Sequence, residues 1–259
     1  MTSWKQYQKL KFKKYRQEWK LFLVEGKRLC QEAINSHWTI ESAFIQESFQ
    51  NDPSFPNFEK LISDKNIHLQ TLSPANFDKL ADTKNPQGIL LVMKMRQSTD
   101  LLAESWRDQS IILLLDGIRD PGNFGTIIRT ADWFGVNFIA SSADAVDFYN
   151  SKTIRASMGS MFRVNYLEVE NLVDFIKILK NNQFTILATS PRSAKTMEQL
   201  PITFPVALLL GGEAEGISSA LLKLSSDIIQ IRKYGQADSL NVAVAAGILL
   251  NRFTSYKNK

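Results

Sequence analysis

The chain has 259 residues and 44% of them are hydrophobic, which is enough apolar surface to bury the cores of two domains. Its apolar runs are far shorter than the roughly 20 residues that cross a bilayer, and no secretory signal pattern is present, so we expect a cytoplasmic protein. The single cysteine, Cys30, rules out an internal disulfide. The only histidines, His37 and His68, argue against a metal site and a Ser-His-Asp triad.

The net charge of +5 is concentrated in the first 30 residues, which have nine basic side chains against two acidic ones. Aromatic residues alternate with the basic ones, and this combination suits phosphate contacts together with stacking on unpaired RNA bases. A solvated amphipathic helix is one alternative, and a mitochondrial presequence is another, which the excess of lysine over arginine disfavours. The predicted RNA contacts are Lys5, Lys9, Lys11, Lys13, Lys14, Arg16, Lys27 and Arg28.

Periodicity in residues 1–96 predicts a small α/β domain. We expect an opening helix to about residue 18, followed by strands and helices that alternate. Ser73 is the expected N-cap of the last helix. The predicted strands are 21–24, 43–45, 68–72 and 89–93, and the predicted helices are 27–35, 58–64 and 74–81.

A mostly polar stretch at 97–109 predicts a linker, and a second domain is expected at 110–259. Strands alternate with helical patterns there, which indicates a mostly parallel sheet covered on both faces. Because parallel sheets bind ligands beyond the carboxyl ends of their strands, the residues just after the strands are the first candidates for a site. The predicted strands are 111–115, 137–140, 185–189, 206–210 and 228–231.

The first candidate segment, residues 116–135, leaves a strand through a Gly-Pro turn and enters a helix. Asn123 lies near the start of this helix, and Arg129 follows more than one turn later. In the simpler interpretation, Asn123 is a helix cap and Arg129 is a surface charge.

The second segment, residues 210–218, has the glycine spacing of a phosphate-binding loop in Gly211 and Gly216. Ile217 stands where such a loop has lysine, and Glu213 and Glu215 would repel phosphate, so we do not expect a nucleoside triphosphatase. Glycines and carboxylates can instead bring the backbone close to a flat polar or cationic ligand and accept its hydrogen bonds. The simpler interpretation is a tight turn with a charged tip.

The third segment, residues 231–250, runs from a strand through a polar loop into a helix rich in small residues. Ser239 is the expected N-cap of this helix. Small side chains suit close packing against a backbone or a partner chain. The simpler interpretation gives Ser239 and Asn241 a capping role only.

Together the three segments strongly resemble the signature motifs of the SpoU/TrmH family of RNA 2'-O-ribose methyltransferases, in the SPOUT superfamily. Residues 22–29 and 85–92 also resemble the family's substrate-binding domain. The sequence departs from the family at Gly212, where many members have Asn or Ala, and at Arg232-Lys233, where Pro-Met is frequent. The matching residues are Asn123, Gly125 and Arg129 in the first motif, Gly211, Glu213 and Gly216 in the second, and Ser239, Leu240 and Asn241 in the third.

The resemblance implies an α/β fold with a C-terminal SPOUT-type parallel sheet that contains a trefoil knot, and a small L30e-like N-terminal domain that binds substrate. It implies a homodimer formed through the C-terminal domain, without metal or membrane. The implied cofactor is S-adenosyl-L-methionine, bound by Thr189, Ser190, Gly211, Gly212, Gly216, Ile231 and Leu240. The implied catalytic residues are Arg129, Asn123, Glu213, Ser239 and Asn241.

The reaction implied by the resemblance is methyl transfer to a ribose 2'-hydroxyl of structured RNA, with ribosomal RNA favoured by the separate N-terminal domain. Arginine normally stays protonated, so we expect Arg129 to place charge near the developing oxyanion rather than to take the proton. A transfer RNA 2'-O-methyltransferase, a SPOUT enzyme acting on a base, and a non-catalytic RNA-binding or ribosome-assembly protein remain alternatives. A Rossmann methyltransferase fits poorly because the first turn lacks its glycine pattern.

Overall fold

The structure is a computed structural model that describes residues 4–96, 110–136, 138–213 and 215–256. These residues form two compact units. One contains the described part of Met1–Gln97 together with Asp147–Arg163, and the other contains the described parts of Ser98–Val146 and Val164–Lys259. The predicted linker at 97–109 lies outside the described residues. No helix within the described ranges has the length and apolarity that crossing a membrane requires.

The first unit is built on a mixed four-stranded sheet. Strand β4 pairs antiparallel with β1 and β2, and β3 pairs parallel with β2, which confirms the four predicted strands. The strands are β1 (Leu21–Glu25), β2 (Ile40–Gln46), β3 (Leu69–Leu72) and β4 (Ile89–Lys94). The helices are α1 (Trp4–Tyr7), α2 (Lys13–Trp19), α3 (Lys27–Asn35), α4 (Phe55–Asp64) and α5 (Pro74–Leu80). Ser73 lies at the N-cap of α5, but its side chain makes no capping hydrogen bond.

The single opening helix predicted to about residue 18 is wrong, because the segment is broken in the middle. A 3-10 helix, Gln8–Lys11, follows α1, and Phe12 is extended before α2 begins. Tyr7 and Leu10 are buried in the core of the unit, where the Tyr7 ring packs edge-on against Phe44 with centroids 5.7 Å apart. Burial of a large apolar side chain stabilises a fold by about 1.5–3 kcal/mol, so these core contacts are a strong constraint on the path of the segment.

The second unit is built on a six-stranded sheet in which every neighbouring pair is parallel, as the sequence predicts. The strand order is β10-β8-β9-β5-β6-β7. Strand β7 is absent from the prediction because most of its side chains are only half-buried, so its sequence contains no continuous apolar run. The strands are β5 (Ile111–Asp116), β6 (Phe138–Ser142), β7 (Asn165–Val169), β8 (Thr185–Thr189), β9 (Val206–Gly211) and β10 (Asp227–Ile229).

The central strands of this sheet are β5 and β9, and the first five residues of each are buried. Such all-apolar strands are typical of a sheet covered on both faces. Helices α8 and α9 contact β8, whereas α6 contacts α10, which also contacts β9. The helices of this unit are α6 (Pro121–Trp133), α8 (Leu172–Asn181), α9 (Ser219–Leu224) and α10 (Val242–Thr254), and α7 (Ser151–Ser157) lies between β6 and β7 along the chain.

The segment Asp147–Arg163, which contains α7, belongs to the first unit and not to the second, where the sequence boundaries place it. Within the first unit, Asp147 accepts hydrogen bonds from Arg16, and the Trp38 indole donates to the carbonyl of Phe162. These contacts span more than 120 positions in sequence, so periodicity carries no sign of them.

Candidate active site

The candidate site lies at the carboxyl ends of the two central strands of the second unit. Asp116 ends β5 and is paired in register with Gly211, which ends β9. The carbonyl of Asp116 accepts from the Gly212 amide at 2.8 Å, and its carboxylate accepts from the Ser218 amide at 2.9 Å. The first and second motif segments therefore leave the sheet side by side.

Two glycines are required where these segments meet. A Cβ on Gly211 would overlap the backbone of Gly216 and Ile217, and a Cβ on Gly212 would overlap the carbonyl oxygen of Gly117. Gly212, one of the two departures from the family pattern, is therefore needed for close backbone approach in this chain. Gly216 has a φ of +68°, a left-handed conformation that side chains other than glycine rarely adopt.

Three polar side chains from the three motifs form a hydrogen-bonded network. The Asn123 amide nitrogen donates to Glu213 Oε1 at 2.6 Å, and the Asn241 amide nitrogen donates to Asn123 Oδ1 at 2.9 Å and to Glu213 Oε1 at 3.3 Å. Asn241 Oδ1 accepts from two backbone amides of α10, so its nitrogen must face the other two side chains. The orientation of all three groups is thereby determined by hydrogen bonding.

The helix caps differ in part from those that the sequence suggests. Asp120, rather than Asn123, caps α6, because its carboxylate accepts a hydrogen bond from the backbone N–H of Asn123 at 2.7 Å. Asn241 caps α10, the role that the simpler interpretation gives it, whereas Ser239, the expected N-cap, does not. Asp120 is the better-placed acceptor because an N-cap precedes the helix, whereas Asn123 lies inside the first turn and directs its side chain to Glu213.

Arg129 and Ser239 lie outside this network. Both are exposed, and neither side chain has a hydrogen bond or ion pair with another described residue. Arg129 is on α6, the helix that begins beside the network. Its charge is therefore available to a ligand that approaches from solvent.

A cavity of about 360 Å³ opens beside the network. Its rim includes Arg232, Lys233 and Tyr234, and both Glu213 and Ser239 also line it. Each of the seven residues predicted to bind cofactor lines this cavity: Thr189, Ser190, Gly211, Gly212, Gly216, Ile231 and Leu240.

A second cavity, of about 400 Å³, shares Gly212, Glu213 and Gly216 with the first. This cavity was not predicted from the sequence, although several acidic residues at the ends of β5 and β6 and just after them were a usable signal. Burial, and secondarily the charge of Asp144, raises the pKa of Asp116. The charged residues that line this cavity are Arg119, Asp116, Asp120, Asp144, Glu213 and Glu215.

No group of three or more His, Cys, Asp or Glu residues in the described part of the chain has the arrangement of a metal site. Cys30 is a buried free thiol in the first unit.

Three of the predicted RNA contacts donate hydrogen bonds to other residues of the first unit instead. Arg16 is 5% exposed and donates to Asp147 and to the carbonyls of Leu10 and Lys11. The Lys11 ammonium donates to two carbonyls near the end of α5. Lys27 donates to Asp52, and this hydrogen bond is the main reason that the pKa of Asp52 is lowered to about 2.

Other basic residues of this segment remain at the surface. Lys5, Lys9, Lys14 and Arg28 are exposed, and Lys13 is half-buried. The ammonium groups of Lys9 and Lys14 lie 5.2 and 5.9 Å from the Tyr15 ring centroid. Of the interleaved aromatic residues, Phe12 is 65% exposed, whereas Tyr7 is buried in the core.

Two family models match most of the chain. Residues 110–251 match the model of the SpoU rRNA Methylase family, and residues 3–91 match that of the MRM3-like substrate binding domain. Over 248 residues, 95% of this chain and 93% of the relative, the sequence is 32% identical to the 23S rRNA (guanosine(2553)-2'-O)-methyltransferase RlmP of Bacillus subtilis.

Solved structures agree as well. An AdoMet-bound rRNA methyltransferase from Sinorhizobium meliloti is 28% identical, with a TM-score of 0.86 over 99% of this chain and 97% of that one. The SpoU methyltransferase AviRb from Streptomyces viridochromogenes, 24% identical over 99% and 98% of the two chains, shares the fold with a TM-score of 0.88. The chain therefore belongs to the SpoU rRNA methylase family.

Proposed function

We propose that this protein transfers a methyl group from S-adenosyl-L-methionine to a ribose 2'-hydroxyl of structured RNA, and that the RNA is ribosomal. The observation that carries the proposal is the Asn123–Glu213–Asn241 network beside a cavity lined by all seven predicted cofactor residues. The Bacillus subtilis relative, named as a 23S rRNA guanosine 2'-O-methyltransferase, supports the choice of substrate.

The cavity fits the cofactor in size and in chemistry. Its volume of about 360 Å³ is in the range of small-molecule pockets, about 300–1,000 Å³. Gly211 and Gly212 let the backbone approach a flat adenine ring, and the carboxylates of Glu213 and Asp238 suit a ligand with a positive charge. When bound, S-adenosyl-L-methionine supplies an activated methyl group on its sulfonium.

The chain's own residues would align the ribose and stabilise charge. Asn123, Glu213 and Asn241 have fixed orientations, so they can position a hydroxyl without reorganising during the reaction. The positively charged guanidinium of Arg129 would stabilise the developing oxyanion or the adjacent phosphate. Ser239, at the cavity lining, would orient ribose or cofactor.

We propose that the first unit is an L30e-like domain that binds the RNA substrate. Its mixed sheet flanked by helices supports this assignment, and so does the match to the MRM3-like substrate binding domain. The exposed residues Lys5, Lys9, Lys14 and Arg28 remain the proposed phosphate contacts. Arg16, Lys11 and Lys27 are withdrawn from this set because their charged groups bind partners within the unit.

We also propose a trefoil knot and a homodimer formed through the second unit. The segment after β10 is hydrogen-bonded to the loop after β8, through Gln230 and Lys195, which is compatible with a threaded chain. Trp133 on α6 and Val244 on α10 are 84% and 52% exposed, an apolar surface that a second copy would cover. Light scattering should give a dimer mass, and Trp133→Glu should give a monomer.

The test of the proposed activity is a methyl-transfer assay. The purified chain is incubated with tritium-labelled S-adenosyl-L-methionine and with ribosomal or transfer RNA from a strain that lacks the gene. We expect label in ribosomal RNA, at a position that resists alkaline cleavage because its 2'-hydroxyl is methylated. Label in transfer RNA alone would contradict the proposed substrate, and binding of RNA without transfer would favour a non-catalytic role.

A further inference from the structure

The rim of the cofactor cavity contains a short segment to which the proposed catalytic network assigns no role. This rim loop, residues 232–235, follows β10 and contains the Arg232-Lys233 pair that departs from the family pattern. All four of its residues are exposed. Tyr234 is 88% exposed, the highest value among the large hydrophobic side chains of the described residues.

Charge is distributed unequally around the site. Arg232 and Lys233 are both exposed and line the cofactor cavity, and the rim loop itself contains no carboxylate. The carboxylates that line the same cavity, those of Glu213 and Asp238, lie outside the rim loop, so the loop is a local cluster of positive charge. The adjoining second cavity has five lining carboxylates and one lining arginine. A polyanion that reaches the site is therefore attracted to the rim loop and repelled from the second cavity.

The side chains of the rim loop are those that hold single-stranded nucleic acid. Exposed aromatic rings stack on unpaired bases, and neighbouring arginine and lysine residues neutralise backbone phosphates. A solvent-exposed tyrosine beside two cations gains little from the folded protein itself, since burial is what stabilises an aromatic side chain. Stacking on an RNA base would bury the Tyr234 ring and supply that stabilisation.

We propose that the rim loop binds the single-stranded RNA next to the target nucleotide, with Tyr234 stacked on a base and Arg232 and Lys233 on phosphates. This inference rests on the proposed function, because it requires RNA to approach the cofactor cavity. It also sets the path of the strand, whose phosphates cross the rim loop and not the acidic cavity. RNA capture is then divided between the first unit and a loop of the second.

The test compares RNA affinity with cofactor affinity in the full-length chain. The variants are Tyr234→Ala, its conservative partner Tyr234→Phe, and the double variant Arg232→Gln/Lys233→Gln. A charge-matched control removes two exposed lysines of the same unit that do not line either cavity, as Lys180→Gln/Lys223→Gln. Binding of a labelled RNA hairpin with a single-stranded loop is measured by anisotropy over a series of salt concentrations, without cofactor. Binding of S-adenosyl-L-methionine is measured by calorimetry.

We expect Tyr234→Ala to weaken RNA binding by about 5- to 150-fold, because the contact with one stacked base is lost. Tyr234→Phe keeps an aromatic ring, so its RNA affinity should stay near that of the wild type. The double variant should reduce the slope of log K against log salt by about 1.4, from about 0.7 for each of two lost phosphate contacts, whereas the lysine control should not. Equal losses of RNA and cofactor affinity would overturn the inference, as would RNA binding by Tyr234→Ala equal to that of the wild type. These measurements of RNA and cofactor binding need no turnover. Absence of methyl transfer would therefore contradict the proposed function, and the binding data would still test the role of the rim loop.

Discussion

Arg16 provides a sharp test of how the basic N-terminal segment is used. Its guanidinium donates to Asp147 from Nε at 2.9 Å and from Nη2 at 2.6 Å, and its Nη1 donates to the carbonyls of Leu10 and Lys11. The side chains of Arg16 and Asp147 are only 6% and 8% exposed. Arg16→Met keeps the aliphatic length of the side chain but leaves one buried carboxylate and two carbonyls without these donors.

Removing one partner of a buried ion pair costs about 3–5 kcal/mol, because the remaining charge is left without compensation. We therefore expect Arg16→Met to lower the free energy of unfolding by about 3–5 kcal/mol. Arg28 is exposed, and Arg28→Met should change the same quantity by no more than about 0.5 kcal/mol. The double variant Arg16→Met/Asp147→Asn should recover part of the loss, since it removes the unpaired charge.

Urea denaturation of the full chain, followed by tryptophan fluorescence and circular dichroism, measures these differences. RNA affinity is measured in parallel, under conditions in which each variant is folded. A destabilisation of less than about 1 kcal/mol by Arg16→Met would refute the structural role of the pair. So would a large loss of RNA affinity with unchanged stability, because Arg16 would then contact RNA as the composition of the segment suggests.

Four further predictions concern the site and the first unit. Arg129→Ala should slow methyl transfer by about 10²- to 10³-fold without changing cofactor affinity in calorimetry, and normal turnover would disprove its role in charge stabilisation. Gly211→Ala should lose cofactor binding or thermal stability, because the added methyl overlaps the facing backbone; wild-type values of both would contradict the close approach. Lys9→Gln/Lys14→Gln should lower the salt slope of RNA binding by about 1.4, whereas an unchanged slope would favour a merely solvated helix. Burial raises the pKa of the Cys30 thiol, so a thiol reagent should label it only after unfolding, and rapid labelling of the native protein would be inconsistent with that environment.

Much of the fold could be predicted from local patterns. Strands β5 and β9 are continuous apolar runs, and the sheet that buries them on both faces is parallel. Strand β7 has no such run, since its side chains are mostly half-buried. The opening helix has helical spacing, but the burial of Tyr7 and Leu10 breaks it. Local pattern therefore predicts strands with continuous apolar runs, such as β5 and β9, but misses β7, in which polar residues interrupt the run.

The basic segment shows the limit of composition as evidence. Nine basic residues in 30 predict RNA contact, yet composition does not distinguish Arg16, which is buried against Asp147, from Lys9, which is exposed. The partner of Arg16 is 131 positions away. The assignment of Asp147–Arg163 to the first unit depends on the same kind of distant contact.

The sequence by itself determined the motif residues, their order and their positions after strands, and these were sufficient for the family. Only the tertiary structure decided that Asn123, Glu213 and Asn241 share hydrogen bonds, that Asp120 and Asn241 are the helix caps, and that Ser239 lies outside the network. The physical reason is that a hydrogen bond requires a separation of about 3 Å. That separation depends on the register of β5 against β9 and on the positions of α6 and α10, which spacing along the chain does not determine.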